Sequence, residues 1–355
     1  RQMCIRDWGC TNAKDQGIEP PLRMRWIRRN EGSVKHIPVC GGGRMYNHTA
    51  EGQIIAVEQE TGRLLWRRYW PGVYLSFTSP LYHEEKLLVP QAGINGSMLR
   101  CLDAATGELL WEAPWTGSPS WSRQFPPVIH KNLAIYASGS GELAPGGSEK
   151  AFGWRNLQET PDGKEVMGFI YSHNNPYYPV DNHPLIWAWD LDTGELVWKK
   201  DFIEHGSGGN DCGIAMMDGK LYYSTFFGYQ AEKRKRRGLP AGTNGITASL
   251  NPETGEVNWL SKDYFVTAGC TVTAKDGRLY LGCFYQAREG VEDRFIYCLD
   301  EKDGSLVWQS DPVPSAINVV SVGEKFIVSN AIRSQCHVFD KETGKIAYAF
   351  RLDYE

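Results

Sequence analysis

The feature that most constrains the fold is a short unit that occurs six times along the 355 residues. In each copy an acidic or amide residue stands three positions before Thr or Asp, a Gly follows, and an aromatic residue comes five positions after the Thr or Asp. The clearest copies are Asp103–Trp111 and Asp190–Trp198. The six aromatic residues are Trp66, Trp111, Trp198, Trp259, Trp308 and Tyr348. Six copies with one internal spacing indicate a chain built from repeated units.

The chemistry of the unit is that of a tight turn between two β-strands. Its Asp or Asn can accept hydrogen bonds from the turn backbone, its Thr hydroxyl supports the turn, and its Gly adopts a positive φ. An apolar strand precedes the turn, as in Met98–Leu102. An aromatic residue at one fixed place per unit can pack between neighbouring units and bury a large area each time. We therefore predict that these aromatic residues dock each unit on the next.

A second hairpin signal lies upstream of each turn, where turn residues lead into an apolar strand. It is clear at Glu85–Val89, Gly219–Tyr223, Gly277–Leu281 and Glu324–Val328, and weaker at Asp162–Val166. Two hairpins per unit give four strands at a spacing of roughly 40–60 residues, which is typical of a β-propeller blade. The sequence therefore predicts an all-β protein made of four-stranded antiparallel blades.

The number of blades follows less directly from the repeat. Full turn motifs number six and hairpin signals seven, and the interval from Trp111 to Trp198 is 87 residues. That interval is nearly twice the shortest interval between two of these tryptophans, the 45 residues from Trp66 to Trp111, so we interpret it as two blades, the first of them degenerate. The prediction is seven blades, with six and eight left open.

The Asp-x-x-Thr-Gly-x-x-x-Trp unit resembles the PQQ-like, or tryptophan-docking, repeat of quinoprotein dehydrogenases and of related non-enzymatic propellers. The resemblance covers residues 20–352. Asp7-Trp8 followed by Pro21–Trp26 is also similar to the start of such propellers. The resemblance implies that an N-terminal strand becomes an outer strand and closes the ring.

One domain is expected from this organisation. We divide the chain into an irregular segment at 1–19 and a single propeller at 20–355, with insertions at about 139–182 and 228–243. The sequence begins at Arg1 without Met, and we interpret it as an exported chain whose signal peptide has been removed. No stretch approaches the roughly 20 apolar residues of a membrane helix. The net charge of −4 argues against a nucleic-acid binder.

The resemblance includes enzymes as well as non-enzymatic proteins. Quinoprotein dehydrogenases commonly place two adjacent, disulfide-bonded cysteines against the quinone and hold calcium beside a catalytic Asp. This sequence has no adjacent cysteines, so no catalytic, cofactor-binding or metal-ligating residue can be assigned from the resemblance. We expect a non-catalytic chain without a cofactor of its own. A dehydrogenase that uses PQQ and calcium is the alternative.

Within the non-enzymatic class, the size, the repeat and the absence of a Cys-x-x-Cys-His motif resemble the propeller subunits of hydrazine synthase. That resemblance implies partner subunits with c-type haem that make hydrazine from nitric oxide and ammonium, and a periplasm-like or anammoxosome-type compartment. The chain is also similar to outer-membrane-assembly lipoprotein propellers. Those proteins carry a lipid-bearing Cys at the first mature position, whereas Cys4 follows three residues here.

Two further groups of residues are candidate sites. Cys4 and Cys10 could form a disulfide that fixes the N-terminal segment, while Cys101 and Cys298 stand two positions before the turn acid, where a small packed residue is expected. The second insertion contains five consecutive basic residues, Lys233, Arg234, Lys235, Arg236 and Arg237. These residues form either a solvated protrusion or a docking arm for an acidic or haem-propionate-bearing partner surface.

Overall fold

The computed structural model consists entirely of β-strands and their connections in the part of the chain that it describes. The described residues are 23–29, 32, 34, 38–49, 52–70, 79–91, 98–114, 127–139, 157–159, 165–167, 184–206, 213–227, 245–266, 271–282, 295–313, 317–331 and 335–351. They form six four-stranded antiparallel sheets and one two-stranded pair. The predicted all-β class and the four-stranded blades are confirmed.

The six sheets, numbered in chain order, have the following strands. Sheet 1 contains β1 (Val39–Gly41), β2 (Arg44–His48), β3 (Gln53–Glu58) and β4 (Leu64–Tyr69). Sheet 2 contains β5 (Leu81–His83), β6 (Lys86–Gln91), β7 (Met98–Asp103) and β8 (Leu109–Pro114). Sheet 3 contains β9 (Val128–His130), β10 (Leu133–Gly139), β13 (Pro184–Asp190) and β14 (Leu196–Asp201). The short strands β11 (Leu157–Glu159) and β12 (Glu165–Met167) pair with each other.

The second half of the chain repeats the arrangement. Sheet 4 contains β15 (Ile214–Met217), β16 (Lys220–Phe226), β17 (Gly245–Leu250) and β18 (Val257–Ser261). Sheet 5 contains β19 (Thr273–Lys275), β20 (Arg278–Leu281), β21 (Tyr297–Asp300) and β22 (Leu306–Gln309). Sheet 6 contains β23 (Ile317–Val322), β24 (Phe326–Ala331), β25 (Gln335–Asp340) and β26 (Ile346–Arg351). In every sheet the four strands lie in chain order.

The repeated turn joins the third and fourth strand of each sheet and has the predicted chemistry. In sheet 2 the Asp103 carboxylate accepts hydrogen bonds from the backbone N–H of Ala105 at 3.0 Å and of Thr106 at 2.7 Å. The Thr106 hydroxyl also donates to Asp103 at 2.9 Å. Gly107 follows with a φ of 71°, which L side chains rarely adopt. These bonds, the one from the Thr106 N–H first, hold the pKa of Asp103 below its usual value.

The tryptophan of each of the first five turn units packs against the glycine of the next sheet. A methyl group on Gly107 would lie 2.6 Å from the Trp66 ring, and one on Gly194 would lie 2.5 Å from the Trp111 ring. The indole Nε1 donates to the carbonyl of the residue after the next turn acid, at 3.1 Å from Trp66 to Ala104. The same bond recurs between Trp26 and Gln59, Trp111 and Leu191, Trp198 and Pro252, Trp259 and Glu301, and Trp308 and Lys341.

The hydrophobic core therefore lies between neighbouring sheets. At the interface of sheets 1 and 2, for example, Trp66 shares a buried cluster with Tyr46, Ala56 and Leu87. A buried Trp removes roughly 150–250 Å² from water, which is worth about 4–6 kcal/mol as an upper estimate. One side chain per interface thus supplies a large share of the stabilisation.

The interpretation of the interval from Trp111 to Trp198 as two blades is wrong. Trp111 docks directly on Gly194 of sheet 3, and the indole bonds to Leu191 at 3.0 Å, so sheet 3 follows sheet 2 without a sheet between them. The interval is long because the chain leaves sheet 3 after β10 and returns at β13. Six four-stranded sheets lie in the described residues, where seven blades were predicted for the whole chain.

The first and last docking positions differ from the prediction: the last predicted aromatic residue is exposed, and an additional tryptophan docks ahead of sheet 1. Tyr348, the last of the six aromatic residues, has 56% of its surface exposed, whereas Trp66 and Trp111 have 8%. Trp26, which follows no upstream copy of the turn unit, packs on Gly62 and bonds to Gln59 at 2.9 Å. Residues 23–29 therefore provide one more docking tryptophan ahead of sheet 1, although they pair with no strand among the described residues.

A matched pair of alanine substitutions tests the docking. Gly219→Ala, at a positive φ with open space around it, should cost only the conformational strain of about 1 kcal/mol. Gly194→Ala, at nearly the same φ but against Trp111, should lower the free energy of unfolding by roughly a further 1–3 kcal/mol because the ring is displaced. Urea unfolding of both variants measures the difference, and equal losses would contradict the docking role.

A second test uses pH. The pKa values of Asp103, Asp190 and Asp340 are held below their usual range, mainly by hydrogen bonds from the Thr three positions later. Such groups contribute stability above the unfolded pKa of about 3.9, and this contribution is lost as the pH falls through the folded value. In sheet 4 the uncharged Asn251 holds the position of the turn acid and accepts a hydrogen bond from the Glu253 N–H at 2.8 Å. We expect the triple Asp→Asn variant to lose less stability between about pH 5 and pH 2 than the parent, as measured by thermal unfolding; an unchanged pH dependence would refute this.

Candidate loop-bearing surface

The two ends of the strands are built differently. At one end, here called the turn end, lie the repeated turns and the short turns between the first and second strands. Two of the latter, Asp218–Gly219 and Asp276–Gly277, have positive φ at both residues, which is typical of two-residue hairpin turns. At the opposite end, here called the loop end, lie the connections between second and third strands and between successive sheets. Every long connection of the repeat therefore leaves from the loop end.

Both predicted insertions begin and end at the loop end. The first leaves β10 at Gly139 and rejoins β13 at Pro184, and the second leaves after Phe227 and rejoins β17 at Gly245. Their sheets, 3 and 4, are neighbours, because the Trp198 indole bonds to Pro252 at 3.0 Å. The roots of the two insertions are therefore side by side. The basic residues Lys233, Arg234, Lys235, Arg236 and Arg237 lie outside the described residues.

Buried polar side chains support the loop end of sheets 1 and 2. Gln91 and His48 are fully buried, with the Gln91 Nε2 and the His48 Nε2 3.3 Å apart. Arg100 donates to the Gln91 Oε1 and, at 3.1 Å, to a Glu112 carboxylate oxygen. The Arg100 guanidinium also lies 4.7 Å from the centre of the Trp70 ring. A buried charge that is paired and hydrogen-bonded in this way fixes the strand ends that carry the loops.

A second network supports the loop end of sheet 4. The Ser224 and Thr247 hydroxyl oxygens lie 2.7 Å apart, and both residues are fully buried. Ser224 accepts from the Val266 N–H at 2.9 Å, while Thr247 donates to the Tyr264 carbonyl at 2.7 Å. These bonds hold the chain as it leaves β18 for the next sheet. The polar residues of this end therefore position backbone, which suits a surface that presents loops.

The cysteines fall into two groups. Cys101 and Cys298 are buried opposite the docking tryptophans Trp111 and Trp308, as expected for small packed residues. Burial raises the pKa of each thiol to about 12. Cys40, by contrast, is exposed and Cys336 is partly exposed, and neither has a disulfide partner among the described residues. The predicted Cys4–Cys10 disulfide lies outside the described residues and remains a prediction.

In the part of the chain that the structure describes, no three His, Cys, Asp or Glu side chains are grouped so that they could hold a metal ion. In the same residues no helix has the length and apolar character needed to cross a bilayer.

Comparison with known sequences points to one family. A profile of the family described as outer membrane protein assembly factor BamB matches residues 23–200, half of the chain. BamB of Legionella pneumophila is 27% identical over 135 residues, 36% of this chain and 33% of the relative, and BamB of Bordetella pertussis is 25% identical over 187 residues, 50% and 47%. The quinohemoprotein alcohol dehydrogenase ADH IIB of Pseudomonas putida is 25% identical over 304 residues, 78% and 41%. The chain spans less than half the length of these curated relatives.

Solved structures support the fold. BamB from Moraxella catarrhalis superposes with a TM-score of 0.53 at 16% identity, over 87% of this chain and 71% of that one. A europium-containing methanol dehydrogenase superposes with a TM-score of 0.62 at 13% identity, over 90% and 69%. Both neighbours are β-propellers, in agreement with the predicted fold, and identities this low bear on the fold alone.

The burial of the thiols gives a testable difference in reactivity. At pH 8 we expect a disulfide reagent such as Ellman's reagent to modify Cys40 in the folded protein and to leave Cys101 and Cys298 unmodified, since the thiolate is the reactive form. The two buried thiols should react only after denaturation. Peptide mapping by mass spectrometry identifies the modified residues, and rapid labelling of Cys101 in the folded chain would contradict the packing described here.

Proposed function

The chain belongs to the family described as outer membrane protein assembly factor BamB, and on that basis we propose that it is a non-catalytic propeller that binds other proteins of an exported complex. Its loop end provides the binding surface, while its stacked sheets hold that surface rigid. The chain acts as a scaffold that positions partner proteins, and any chemistry takes place on those partners.

The observation that carries this proposal is the position of the two insertions. Their roots leave adjacent sheets at the same end, between Gly139 and Pro184 and between Phe227 and Gly245. Long loops on a rigid scaffold are where binding residues concentrate. The opposite end carries tight turns whose polar groups are satisfied within the turn, as at Asp103 and Thr106. A partner that needs an extended contact surface therefore finds it at the loop end.

The charge distribution favours an acidic partner surface. The chain carries a net charge of −4, yet residues 233–237 are five consecutive bases in one insertion. A concentrated positive segment on a weakly negative protein attracts and orients an acidic partner. We propose that Lys233, Arg234, Lys235, Arg236 and Arg237 make this contact.

Two specific identities are proposed for the partner proteins. Membership of the family and two relatives named BamB support partners of an outer-membrane assembly complex. Partners with c-type haem, as in a hydrazine synthase, are the form suggested by the sequence resemblance. Relatedness to a quinohemoprotein alcohol dehydrogenase makes a PQQ enzyme the contrasting outcome.

Purification from the native source separates these outcomes. We expect the chain to be isolated with stoichiometric partner proteins and to show no quinone absorbance of its own. Recovery of outer-membrane assembly proteins with the chain would support the first of these partner identities, and haem absorbance of the recovered partners would support the second. A monomer that binds PQQ and calcium and oxidises an alcohol would overturn the scaffold proposal.

The basic segment can be tested in the same preparation. Replacing the five bases at 233–237 with Gln should reduce recovery of the complex about tenfold or more at low salt and less at high salt, because screening weakens charge attraction. A matched control neutralises five exposed bases near the turn end and should leave recovery unchanged: Arg25, Arg63, Lys131, Lys325 and Lys345. Equal recovery of both variants would contradict a docking role for 233–237.

A further inference from the structure

A polar cleft of about 390 Å³ opens at the turn end between sheets 5 and 6, opposite the loop end. Three turns of sheets 5 and 6 contribute its charged walls, and its apolar part consists of Val307 and Trp308. The charged residues are Asp276, Arg278, Asp300, Glu301, Lys302, Lys341 and Glu342. This volume lies near the lower limit of ordinary small-molecule sites.

A fully buried tyrosine in the wall of this cleft has an unused hydroxyl group. Tyr46, Tyr222 and Tyr280 occupy the same place, the third residue of the second strand in sheets 1, 4 and 5. The Tyr46 hydroxyl donates to the Ala104 carbonyl at 3.1 Å, and the Tyr222 hydroxyl to a Glu301 carboxylate oxygen at 2.7 Å. The Tyr280 hydroxyl is buried and has no hydrogen-bond partner among the residues that the structure describes.

The reason lies in the residue that faces Tyr280 from the next turn. Ala104 and Glu301 each follow their turn acid, and they accept through a main-chain carbonyl and a side-chain carboxylate, respectively. Lys341 holds this place in sheet 6, where its carbonyl accepts from the Trp308 indole and its ammonium cannot accept a hydrogen bond. The Lys341 ammonium donates instead to Asp276 at 2.6 Å. Burial raises the pKa of Tyr280, so its hydroxyl remains protonated and able to donate. A buried donor without an acceptor is costly, and an acceptor from a ligand would relieve that cost.

The side chain that sheet 6 places beside Tyr280 is smaller than the one that sheet 2 places beside Tyr46. In sheet 2, Tyr82 pairs with the second residue of β6, and its ring stacks on Tyr46 with 5.9 Å between ring centres. Val322 pairs with the second residue of β24 and so holds the matching place in sheet 6.

The charges of the cleft balance one another. Arg278 pairs with Asp300 at 2.6 Å and Lys341 with Asp276 at 2.6 Å, and Glu301, which also lines the cleft, pairs with Lys220 at 3.4 Å. That leaves one base and one acid, Lys302 and Glu342, with no ion pair among the described residues. A site with this balance exerts little net attraction on an anion or a cation. It instead offers hydrogen-bond donors and hydrogen-bond acceptors close to one another.

We propose that this cleft binds a small uncharged compound rich in hydroxyl groups, of the carbohydrate class. A hydroxyl group both donates and accepts, so it can bridge the carboxylates and the cations of the walls. One ligand oxygen accepts the hydrogen bond of the Tyr280 hydroxyl. The apolar face of the ring packs on Val307, which has 42% of its surface exposed.

The test uses the purified chain and three probes: glucose, N-acetylglucosamine and its trisaccharide. Titration calorimetry and saturation-transfer NMR should show saturable binding, and Tyr280→Phe should weaken it about tenfold or more. The melting temperature of this variant should not fall, because the lost hydroxyl has no partner in the protein. Tighter binding of the trisaccharide than of the single sugars identifies a polysaccharide as the source, and equal binding identifies a free sugar.

The control uses the same substitution elsewhere. Tyr46→Phe, in sheet 1, loses its hydrogen bond to the Ala104 carbonyl, so it should lower the melting temperature while leaving sugar binding unchanged. Absence of saturable binding to all three probes, or full binding by Tyr280→Phe, would overturn the proposal. So would tighter binding of inorganic phosphate or glycine in competition. None of these outcomes depends on recovery of a protein complex, so the scaffold proposal stands or falls separately.

Discussion

The contact of one indole ring with one glycine holds this molecule together. It occurs six times among the described residues, from Trp26 on Gly62 to Trp308 on Gly344. Each contact requires a residue without a Cβ, a positive φ at that residue, and a carbonyl placed to accept the indole N–H. The Asp-x-x-Thr-Gly turn meets all three conditions at once, so its sequence is restricted far more than that of the strands beside it.

This restriction explains what the sequence could predict. The turn glycines and the aromatic residues five positions after the Thr or Asp predicted the four-stranded blades and the packing of one on the next. The same reasoning failed where the repeat has no sequence mark. Trp26 follows no turn of its own, and the distance from Trp111 to Trp198 reflects an insertion within sheet 3.

The candidate surfaces were harder to predict because they depend on what differs between repeats. The placement of both insertions at one end follows from the order of strands, and their residence in neighbouring sheets follows from the contact of Trp198 with Pro252. Beside Tyr280, sheet 6 places two residues that differ from those of the other repeats: Lys341, whose ammonium cannot accept a hydrogen bond, and Val322, where sheet 2 has Tyr82. Neither is visible in the sequence until the repeats are aligned by their register.

The exposure of Tyr348 has a consequence for the cooperativity of unfolding. A protein whose sheets contact only their neighbours has a stability that is close to a sum of nearest-neighbour terms. Sheet 6 receives Trp308 on one side, while its own aromatic residue is 56% exposed on the other. The free energy of local opening should therefore be lower for sheet 6 than for sheets 2 to 4, each of which has a docking tryptophan contact on both sides. We therefore expect the amide hydrogens of β25 and β26 to exchange faster than those of sheets 2 to 4, through local opening at this edge.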